Sequence, residues 1–226
     1  MFKLDKVCKS YKTSYSDNLV LSNINTEISS TTVTAITGSS GNGKSTLLNL
    51  ICGMDKPDSG NIYFNDINLC NLSKNKMADL RLNSFGFVFQ DFQLISTLTV
   101  KENIQIPERV KYKRNNNQWL DEILEMLDLK EKKNRYPHQL SGGEKQRTAI
   151  ARAIITKPSV LLADEPTGNL DEENTKRIMR FLFDYSKNNN CGLIFITHEY
   201  SLAERADNII RVENKSVNYI KRKEET

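Results

Sequence analysis

The fold is decided by the stretch Gly38-Ser39-Ser40-Gly41-Asn42-Gly43-Lys44-Ser45-Thr46. Its first and last glycines, followed by a lysine and a serine, match the P-loop pattern, which binds phosphate groups. Gly41 and Gly43 allow the backbone to turn its N–H groups inward, so the loop forms a concave site for an anion. Lys44 is expected to reach the β- and γ-phosphates of a nucleotide, and Ser45 is expected to ligate Mg²⁺.

The flanks of this stretch supply the context that the motif requires. Val33–Thr37 has the pattern of a short buried strand, and the apolar spacing over Thr46–Gly53 predicts a helix. The positive N-terminal end of that helix would face the anion. The alternative is a glycine- and serine-rich turn that only joins a strand to a helix, and the correct flanks disfavour it.

Length and composition bound the kind of protein. The chain has 226 residues, enough for one sizeable α/β domain with an inserted subdomain and too few for two large domains. The net charge of +4 arises from 32 basic and 28 acidic side chains that are interspersed, which favours a solvated surface over a nucleic-acid face. The four cysteines lie far apart without a CxxC pair, which predicts free thiols in a reducing compartment. Neither a secretory signal nor a membrane-spanning stretch is expected.

The N-terminal residues predict an antiparallel sheet edge. Strand patterns cover Phe2–Val7 and Val20–Ile28, and the polar stretch Tyr11–Asn18 between them is predicted to be a loop. Tyr11 is either a turn aromatic or a platform on which a base stacks, and the pattern favours neither.

The middle of the chain changes to a helical pattern. From Asp91 to about Ile155 the apolar residues recur at helical spacing, with Trp119 on the apolar face of one helix, so a helical insertion is predicted. Further strands are predicted at Asn61–Phe64, Phe85–Phe89, Val160–Ala163, Leu193–Thr197 and Ile209–Val212, further helices at Lys74–Leu82, Gly143–Lys157 and Asp171–Asn188, and a frayed tail at Lys221–Thr226.

Two carboxylates directly follow the predicted strand Val160–Ala163. Asp164, fixed by the strand end, is suited to position Mg²⁺ through its water shell, and Glu165 is suited to act as a general base for water. The pair alone says little, because acidic residues often end strands. Together with the P-loop it predicts an enzyme that acts on a Mg-nucleotide.

A second glycine-rich turn opens the helix predicted from Gly143. Its sequence is Leu140-Ser141-Gly142-Gly143-Glu144-Lys145-Gln146-Arg147, and it offers N–H groups, a serine hydroxyl and a positive helix end to an anion. One nucleotide needs only one such cradle, so two cradles raise the hypothesis of a nucleotide shared between two chains. The alternative is a helix capped by Ser141, which the turn by itself favours.

The order of these motifs resembles the ATP-binding subunit of ABC transporters over essentially the whole chain. The matching parts are the P-loop, Gln90, Leu140–Glu144, Asp164, Glu165 and His198. Phe85–Gln90 and Leu162–Asp171 are further similar to the branch of lipoprotein-releasing, macrolide-exporting, cell-division and antimicrobial-peptide-resistance ATPases.

The resemblance implies a nucleotide-binding role for residues of the first half of the chain. Tyr11 would stack on adenine, Gly38–Thr46 would hold the phosphates, and Lys44 would neutralise their charge. Gln90 would sense Mg²⁺ and the attacking water. Ser45, Gln90 and Asp164 would form the metal site.

The second half would complete the reaction site. Ser141, Gly142 and Gly143 would close on the γ-phosphate of the ATP held by the opposite protomer. Glu165 would be the catalytic base and His198 would contact the γ-phosphate. Asp171 would lie in the loop that couples the two sites.

Two positions depart from the commonest family pattern. Glu144 stands where Gln is usual, and Glu199 follows His198 where Asp is usual. Neither change removes a group that would contact phosphate, so modest tuning of activity is expected.

The implied fold is an α/β P-loop NTPase with a RecA-like core, an N-terminal antiparallel β-subdomain and an inserted helical subdomain. Residues 1–90 and 159–226 would form the core with the β-subdomain, and residues 91–158 the helical subdomain.

The implied function is an ATPase that uses ATP and Mg²⁺ and works as an ATP-dependent homodimer. It would drive a separate transmembrane permease from the cytoplasmic face of the membrane, for export or extraction of a peptide, lipoprotein or drug-like molecule. No nucleic-acid partner is expected. Phe92, Leu94 and Leu98 either line the docking groove for the permease or simply pack within the subdomain.

Two other functions remain alternatives. One is a regulator that moves a membrane partner without transporting anything. The other is a soluble ATPase of the same superfamily that acts on DNA or the ribosome, and the absence of a visible coiled-coil or zinc insertion disfavours it.

Overall fold

The computed structural model describes residues 1–12, 17–112 and 117–221. The strands are β1 (Phe2–Lys12), β2 (Asp17–Ile28), β3 (Val33–Thr37), β4 (Ser59–Phe64), β5 (Ile67–Asn68), β6 (Phe85–Val88), β7 (Val160–Ala163), β8 (Gly192–Ile196), β9 (Asn208–Glu213) and β10 (Ser216–Lys221). The helices are α1 (Lys44–Ile51), α2 (Lys74–Ser84), α3 (Val100–Tyr112), α4 (Asn117–Met126), α5 (Gly142–Ile154), α6 (Glu172–Asn188) and α7 (Tyr200–Ala203), with short 3₁₀ turns between some of them.

A six-stranded sheet in the order β10-β9-β3-β8-β7-β6 forms the centre of the molecule. Each neighbouring pair from β9 to β6 is parallel, and β10 pairs antiparallel with β9. The carboxyl ends of β3, β8, β7 and β6 therefore lie along one edge of the sheet, where ligands bind in sheets of this kind.

The second sheet is antiparallel, with four strands in the order β2-β1-β4-β5. Tyr11 belongs to β1 and pairs with Asn18 of β2. The prediction of a loop from Tyr11 to Asn18 is therefore wrong at both ends, and its centre, residues 13–16, lies outside the described residues. Backbone hydrogen bonds extend β1 and β2 into this polar stretch. The sequence carries no strand signal there because apolar and polar residues do not alternate.

Two hydrophobic cores lie on opposite faces of the six-stranded sheet. Along β7, Leu161 packs with α3 to α6 on one face, whereas Leu162 packs with α1 and the antiparallel sheet on the other. Phe195 and Ile196 of β8 divide between the faces in the same way. A strand that is buried on both faces has a continuous apolar sequence, as predicted for Val160–Ala163.

Between β6 and β7 the described residues form helices and short turns, which confirms the predicted helical insertion. The exact division of the chain into subdomains stays a prediction. Strands β5 and β10 were not predicted, and Lys221 belongs to β10 rather than to a frayed tail. Residues 222–226 lie outside the described part. None of the described helices is long and apolar enough to cross a membrane.

Candidate functional site

The edge formed by the parallel strands gathers most of the predicted residues. The P-loop follows β3, Gln90 follows β6, Asp164 and Glu165 follow β7, and His198 follows β8. The parallel arrangement brings these loops together because it sets their strands side by side.

The P-loop leaves the start of α1 open. Gly43 occupies the N-cap position with φ 95°, and no side chain caps the helix. The φ of Gly43 and the packing of its α-carbon both exclude a side chain, since a Cβ there would lie 2.6 Å from Val20 Cγ1. The first N–H groups of α1 have no partner within the helix and are available to an anion.

Lys44 is buried within this loop. Its ammonium donates hydrogen bonds to the carbonyl oxygens of Gly38 at 3.0 Å and Ser39 at 3.1 Å. Burial lowers the pKa of Lys44, and the carboxylates of Glu165 and Asp164 oppose that shift. Because the lysine side chain is flexible, its ammonium can move from these carbonyl oxygens to a phosphate. The negative charge of the phosphate would then favour the charged form of Lys44.

The loop also brings Ser45 to Asp164. The Ser45 hydroxyl donates to Asp164 Oδ1 at 3.1 Å. Burial raises the pKa of Asp164, the Ser45 hydrogen bond lowers it, and the neighbouring Glu165 raises it. A hydroxyl and a carboxylate are oxygen donors of the kind that Mg²⁺ prefers, and Mg²⁺ at nucleotides commonly takes few protein ligands. The residues therefore fit this ion.

Glu165 and His198 form the next pair along the sheet edge. His198 Nε2 lies 2.7 Å from Glu165 Oε1, and because a carboxylate only accepts, the imidazole is the donor. Glu165 has φ 44°, the left-handed region that a glutamate adopts only at some cost in free energy.

Gln90 lies on the other side of Glu165. A Cβ at Gly168 would be 3.4 Å from Gln90 Nε2 and 3.5 Å from Glu165 Oε2, so both groups face the same glycine. Asn169 Nδ2 donates to the Gln90 carbonyl at 3.2 Å. The structure thus groups Gln90 with Glu165, and its predicted place in the metal site with Ser45 stays a prediction.

Tyr11 lies beside the start of α1. Its hydroxyl donates to Asp55 Oδ2 at 2.9 Å, and the ammonium of Lys9 sits 5.0 Å from its ring centroid. Burial raises the pKa of Tyr11, and the side chain of Thr46 lowers it, which places the phenol next to the P-loop. Tyr11 is 41% exposed, and a stacking platform requires an exposed ring.

The second glycine-rich turn is built differently. Ser141 is the N-cap of α5 and its hydroxyl accepts from the Glu144 N–H, while Glu144 Oε2 accepts from the Ser141 N–H at 2.8 Å. Glu144 also pairs with Lys132 at 3.0 Å, and these hydrogen bonds hold the pKa of Glu144 below its usual value. Ser141 thus caps the helix, as the alternative interpretation has it. The contact of Ser141–Gly143 with ATP of an opposite protomer stays a prediction.

This turn packs against the loop of Asp171. Asp171 caps α6 and accepts from both the backbone and the side chain of Asn174. A Cβ at Gly143 would lie 2.7 Å from Asn174 Oδ1, and Arg147 donates to the same oxygen at 3.4 Å. Among the described residues no hydrogen bond joins this group directly to the P-loop.

Three residues that have clear structural roles at the site were not predicted from the sequence. Asn174 joins the turn to Asp171, Asp55 anchors Tyr11, and Gly168 leaves room for Gln90 and Glu165. The spacing Asp171-x-x-Asn174 is a helix-start signal that could have identified the first. No local signal points to Asp55, because it lies in the turn after α1 and its partner Tyr11 lies far away in the sequence, in β1.

A cleft of about 310 Å³ opens beside Gln90, between β6 and the helices α2, α3 and α5. Its described lining includes Phe87, Phe89, Gln93, Pro107 and Arg152. Phe92, Leu94 and Leu98 are half-buried and do not belong to that lining, which favours the packing interpretation for them.

Known proteins share this arrangement. A family model described as "ABC transporter" matches residues 21–168, more than half of the chain. The lipoprotein-releasing system ATP-binding protein LolD of Buchnera aphidicola subsp. Schizaphis graminum is 41% identical over 196 residues, which cover 86% of each chain. The macrolide export ATP-binding/permease protein MacB of Haemophilus ducreyi is 39% identical over 88% of this chain and 29% of its own length.

The solved structures agree. The dimeric, post-hydrolysis structure of the ATP-binding cassette MJ0796 bound to ADP and Pi matches with a TM-score of 0.92 and 35% identity, covering 100% of both chains. The sequence of MJ0796 comes from Methanocaldococcus jannaschii.

Proposed function

Because the chain belongs to the ABC transporter family, we propose that it is the ATP-hydrolysing subunit that drives a separate membrane-embedded permease. The observation that carries this proposal is the grouping of Lys44, the Ser45–Asp164 pair and the Glu165–His198 pair along one edge of the central sheet. That edge offers a phosphate cradle, a metal site and a base to the same small space.

The P-loop would hold the phosphates of ATP. The open N–H groups of α1 and the Lys44 ammonium would neutralise the β- and γ-phosphates, and Ser45 and Asp164 would hold Mg²⁺. Bound Mg²⁺ supplies further neutralisation of phosphate charge. Tyr11 would stack on adenine, held in place by its hydrogen bond to Asp55.

Glu165 would be the general base. With Oε1 engaged by His198, its Oε2 is the oxygen left to accept a proton from water near Gln90. The water oxygen would attack the γ-phosphorus in line, its proton would pass to Glu165, and ADP would leave. His198, beside Glu165, would contact the γ-phosphate.

The second turn would act across a dimer. Ser141 and Gly142 are exposed, and the nearby cations Lys132 and Arg147 contact Glu144 and Asn174 of the same chain. The dimeric structures of MJ0796 support an arrangement in which Ser141–Gly143 closes on ATP held by a second copy. Asp171, linked to Gly143 through Asn174, would report that closure.

The cleft beside Gln90 would receive the permease. Its aromatic lining from Phe87 and Phe89 suits an apolar segment of a partner, and Gln90 lies directly after these residues. LolD and MacB support a partner that extracts lipoproteins or exports drugs. The protein would then be associated with the membrane through its partner, on the cytoplasmic face where ATP is available.

The test is phosphate release from MgATP by the purified protein beside the Glu165→Gln variant, with both run on a sizing column with and without ATP. Loss of the base is expected to lower hydrolysis by about 10²- to 10⁴-fold. The variant is also expected to accumulate an ATP-bound dimer, because closure precedes hydrolysis.

The matched control is Glu204→Gln, an exposed carboxylate in the sequence after α7. It should hydrolyse ATP like the wild type. If Glu165→Gln hydrolyses as fast as this control, the role of Glu165 is wrong. If the wild type is inactive both alone and with a co-expressed permease, the proposed function is wrong.

A further inference from the structure

The segment after Gln90 has an unusual backbone. Phe92 and Gln93 have φ of 60° and 48°, so two consecutive residues with side chains adopt the left-handed conformation. Non-glycine residues adopt this region rarely, and usually singly. Two turn hydrogen bonds support the segment from within, from the Phe92 N–H to the Phe89 carbonyl at 3.2 Å and from the Gln93 N–H to the Asp91 carbonyl at 2.5 Å. A contact from outside adds to them.

Arg152 of α5 holds this segment. Its Nη1 donates to the Gln93 carbonyl at 2.5 Å and its Nη2 donates to the Phe92 carbonyl at 2.7 Å. Burial lowers the pKa of Arg152, and among the described residues no carboxylate pairs with it. The partly buried guanidinium of Arg152 thus donates its hydrogen bonds to two neighbouring backbone carbonyls.

A second contact holds the other end of the segment. Asn169, in the loop that follows Glu165, donates to the Gln90 carbonyl at 3.2 Å. Residues 90–93 are therefore held by the catalytic loop on one side and by the helix of the second glycine-rich turn on the other. Gln90 faces Glu165 at the first end, and Gln93 lines the docking cleft together with Arg152 at the second.

We propose that Arg152 is a positioning residue that keeps Phe92 and Gln93 in their left-handed geometry, so that Gln90 stays beside Glu165. The proposal rests on the proposed function, because it concerns the same hydrolytic site. Arg152 and Gln93 both line the cleft, and Gln93 lies three residues after Gln90.

The chemistry of the guanidinium explains why an arginine stands here. Its planar fork presents two N–H groups to two adjacent carbonyls, whereas a lysine presents a single ammonium without that geometry. Arg152→Lys therefore keeps the charge and the aliphatic stem but weakens the hydrogen bonds to the Phe92 and Gln93 carbonyls. Gln93→Gly should compensate for this loss. Glycine adopts the left-handed region without cost in free energy, so the segment depends less on the hydrogen bonds from Arg152.

The experiment compares wild type, Arg152→Lys, Gln93→Gly and the double variant. For Arg152→Lys we expect kcat for ATP to fall about tenfold with KM changed by less than about twofold, since the phosphate cradle is untouched. Hydrogen exchange of the amides in residues 88–98 should become about tenfold faster. In the double variant at least about threefold of the lost kcat should return, and the exchange should slow again.

Two control variants match these changes elsewhere. Arg180→Lys changes an exposed arginine of α6, and Asn190→Gly places glycine at an exposed residue with φ 49°. Neither should alter kcat or exchange in residues 88–98, and Asn190→Gly should not rescue Arg152→Lys. Thermal unfolding of every variant identifies any that fails to fold.

If Gln93→Gly restores neither kcat nor exchange, Arg152 only stabilises α5 and the proposal is overturned. A normal exchange rate in Arg152→Lys overturns it as well. Exchange does not depend on ATP hydrolysis. A wild type without ATPase activity would therefore contradict the proposed function, while the exchange and its rescue would still decide the role of Arg152.

Discussion

The two glycine-rich turns, Gly38–Gly43 and Leu140–Gly143, open helices in similar sequence contexts but are built in opposite ways. At the first, Gly43 is left-handed and no side chain caps α1. At the second, Ser141 and Glu144 cap α5 reciprocally, and the backbone stays in ordinary conformations. The first N–H groups of α1 therefore have no side-chain partner, whereas those of α5 are partly satisfied by the cap.

The surroundings differ in the same direction. The first turn has a buried lysine, a hydroxyl–carboxylate pair and a base nearby within one chain. The second has Asn174 and the Asp171 cap behind it, and its nearby cations Lys132 and Arg147 contact Glu144 and Asn174. We therefore expect the first turn to bind phosphate within one chain and the second to bind a phosphate that another chain holds.

Lys44→Ala would break the first turn and has the largest expected effect. Removing the buried ammonium leaves the phosphate charge without its main internal cation, so hydrolysis should fall by about 10²- to 10³-fold. ATP binding, measured by equilibrium dialysis, should weaken in the monomer. Lys145→Ala, near the second turn, should leave monomer binding unchanged. Equal loss of monomer binding in both variants would contradict the comparison.

Gly143→Ala would break the second turn while sparing the first. The added Cβ would lie 2.7 Å from Asn174 Oδ1, so the turn must shift and unfolding should require about 1 kcal/mol less free energy. ATP binding to the monomer should be retained, and ATP-dependent dimerisation on a sizing column should be lost.

Gly142→Ala is the matched variant, because the nearest atom to its Cβ would be 3.8 Å away. It should not lower the melting temperature, whatever its effect on the dimer. If both variants destabilise the protein equally, the packing of Gly143 on Asn174 does not set the shape of the turn.

Ser141→Ala would sharpen the comparison by removing a cap. The Glu144 N–H loses its acceptor, and the free energy of unfolding should drop by about 1 kcal/mol. Ser40→Ala in the P-loop, where the serine is exposed and α1 is not capped by a side chain, should change stability by less than about 0.5 kcal/mol. Urea unfolding of both variants measures the difference, and a reversed order would be inconsistent with it.

Glu144→Gln has the smallest expected effect. Glutamine can keep the hydrogen bond to the Ser141 N–H but loses the pair with Lys132, so at pH 7 stability should fall by only about 0.5 kcal/mol.

The sign of the pH dependence of this effect follows from the pKa of Glu144, which lies below its ordinary value of 4.5 in the folded protein. Its contribution is present above that value and is lost as the pH falls through the folded pKa. The wild type and Glu144→Gln should therefore differ in melting temperature at pH 7 and converge as the pH falls through the lowered pKa of Glu144. A constant difference across this range would assign the effect to packing instead.

Strands that are buried on both faces were predicted well from the sequence. Val33–Thr37 and Val160–Ala163 match β3 and β7, because such strands have an uninterrupted apolar pattern bounded by turn residues. Strand β10 (Ser216–Lys221) was missed because it lies at the edge of its sheet and is mostly exposed, so backbone pairing rather than an apolar pattern defines it.

The sequence by itself determined the family, the phosphate loop and the order of the chemical groups, because these depend on short runs of residue types with fixed local geometry. Tertiary structure alone decided which groups meet. The pairing of Ser45 with Asp164, of Glu165 with His198 and of Arg152 with the carbonyls after Gln90 joins residues far apart in the chain. Such contacts follow from strand order and helix packing, which local sequence patterns do not encode.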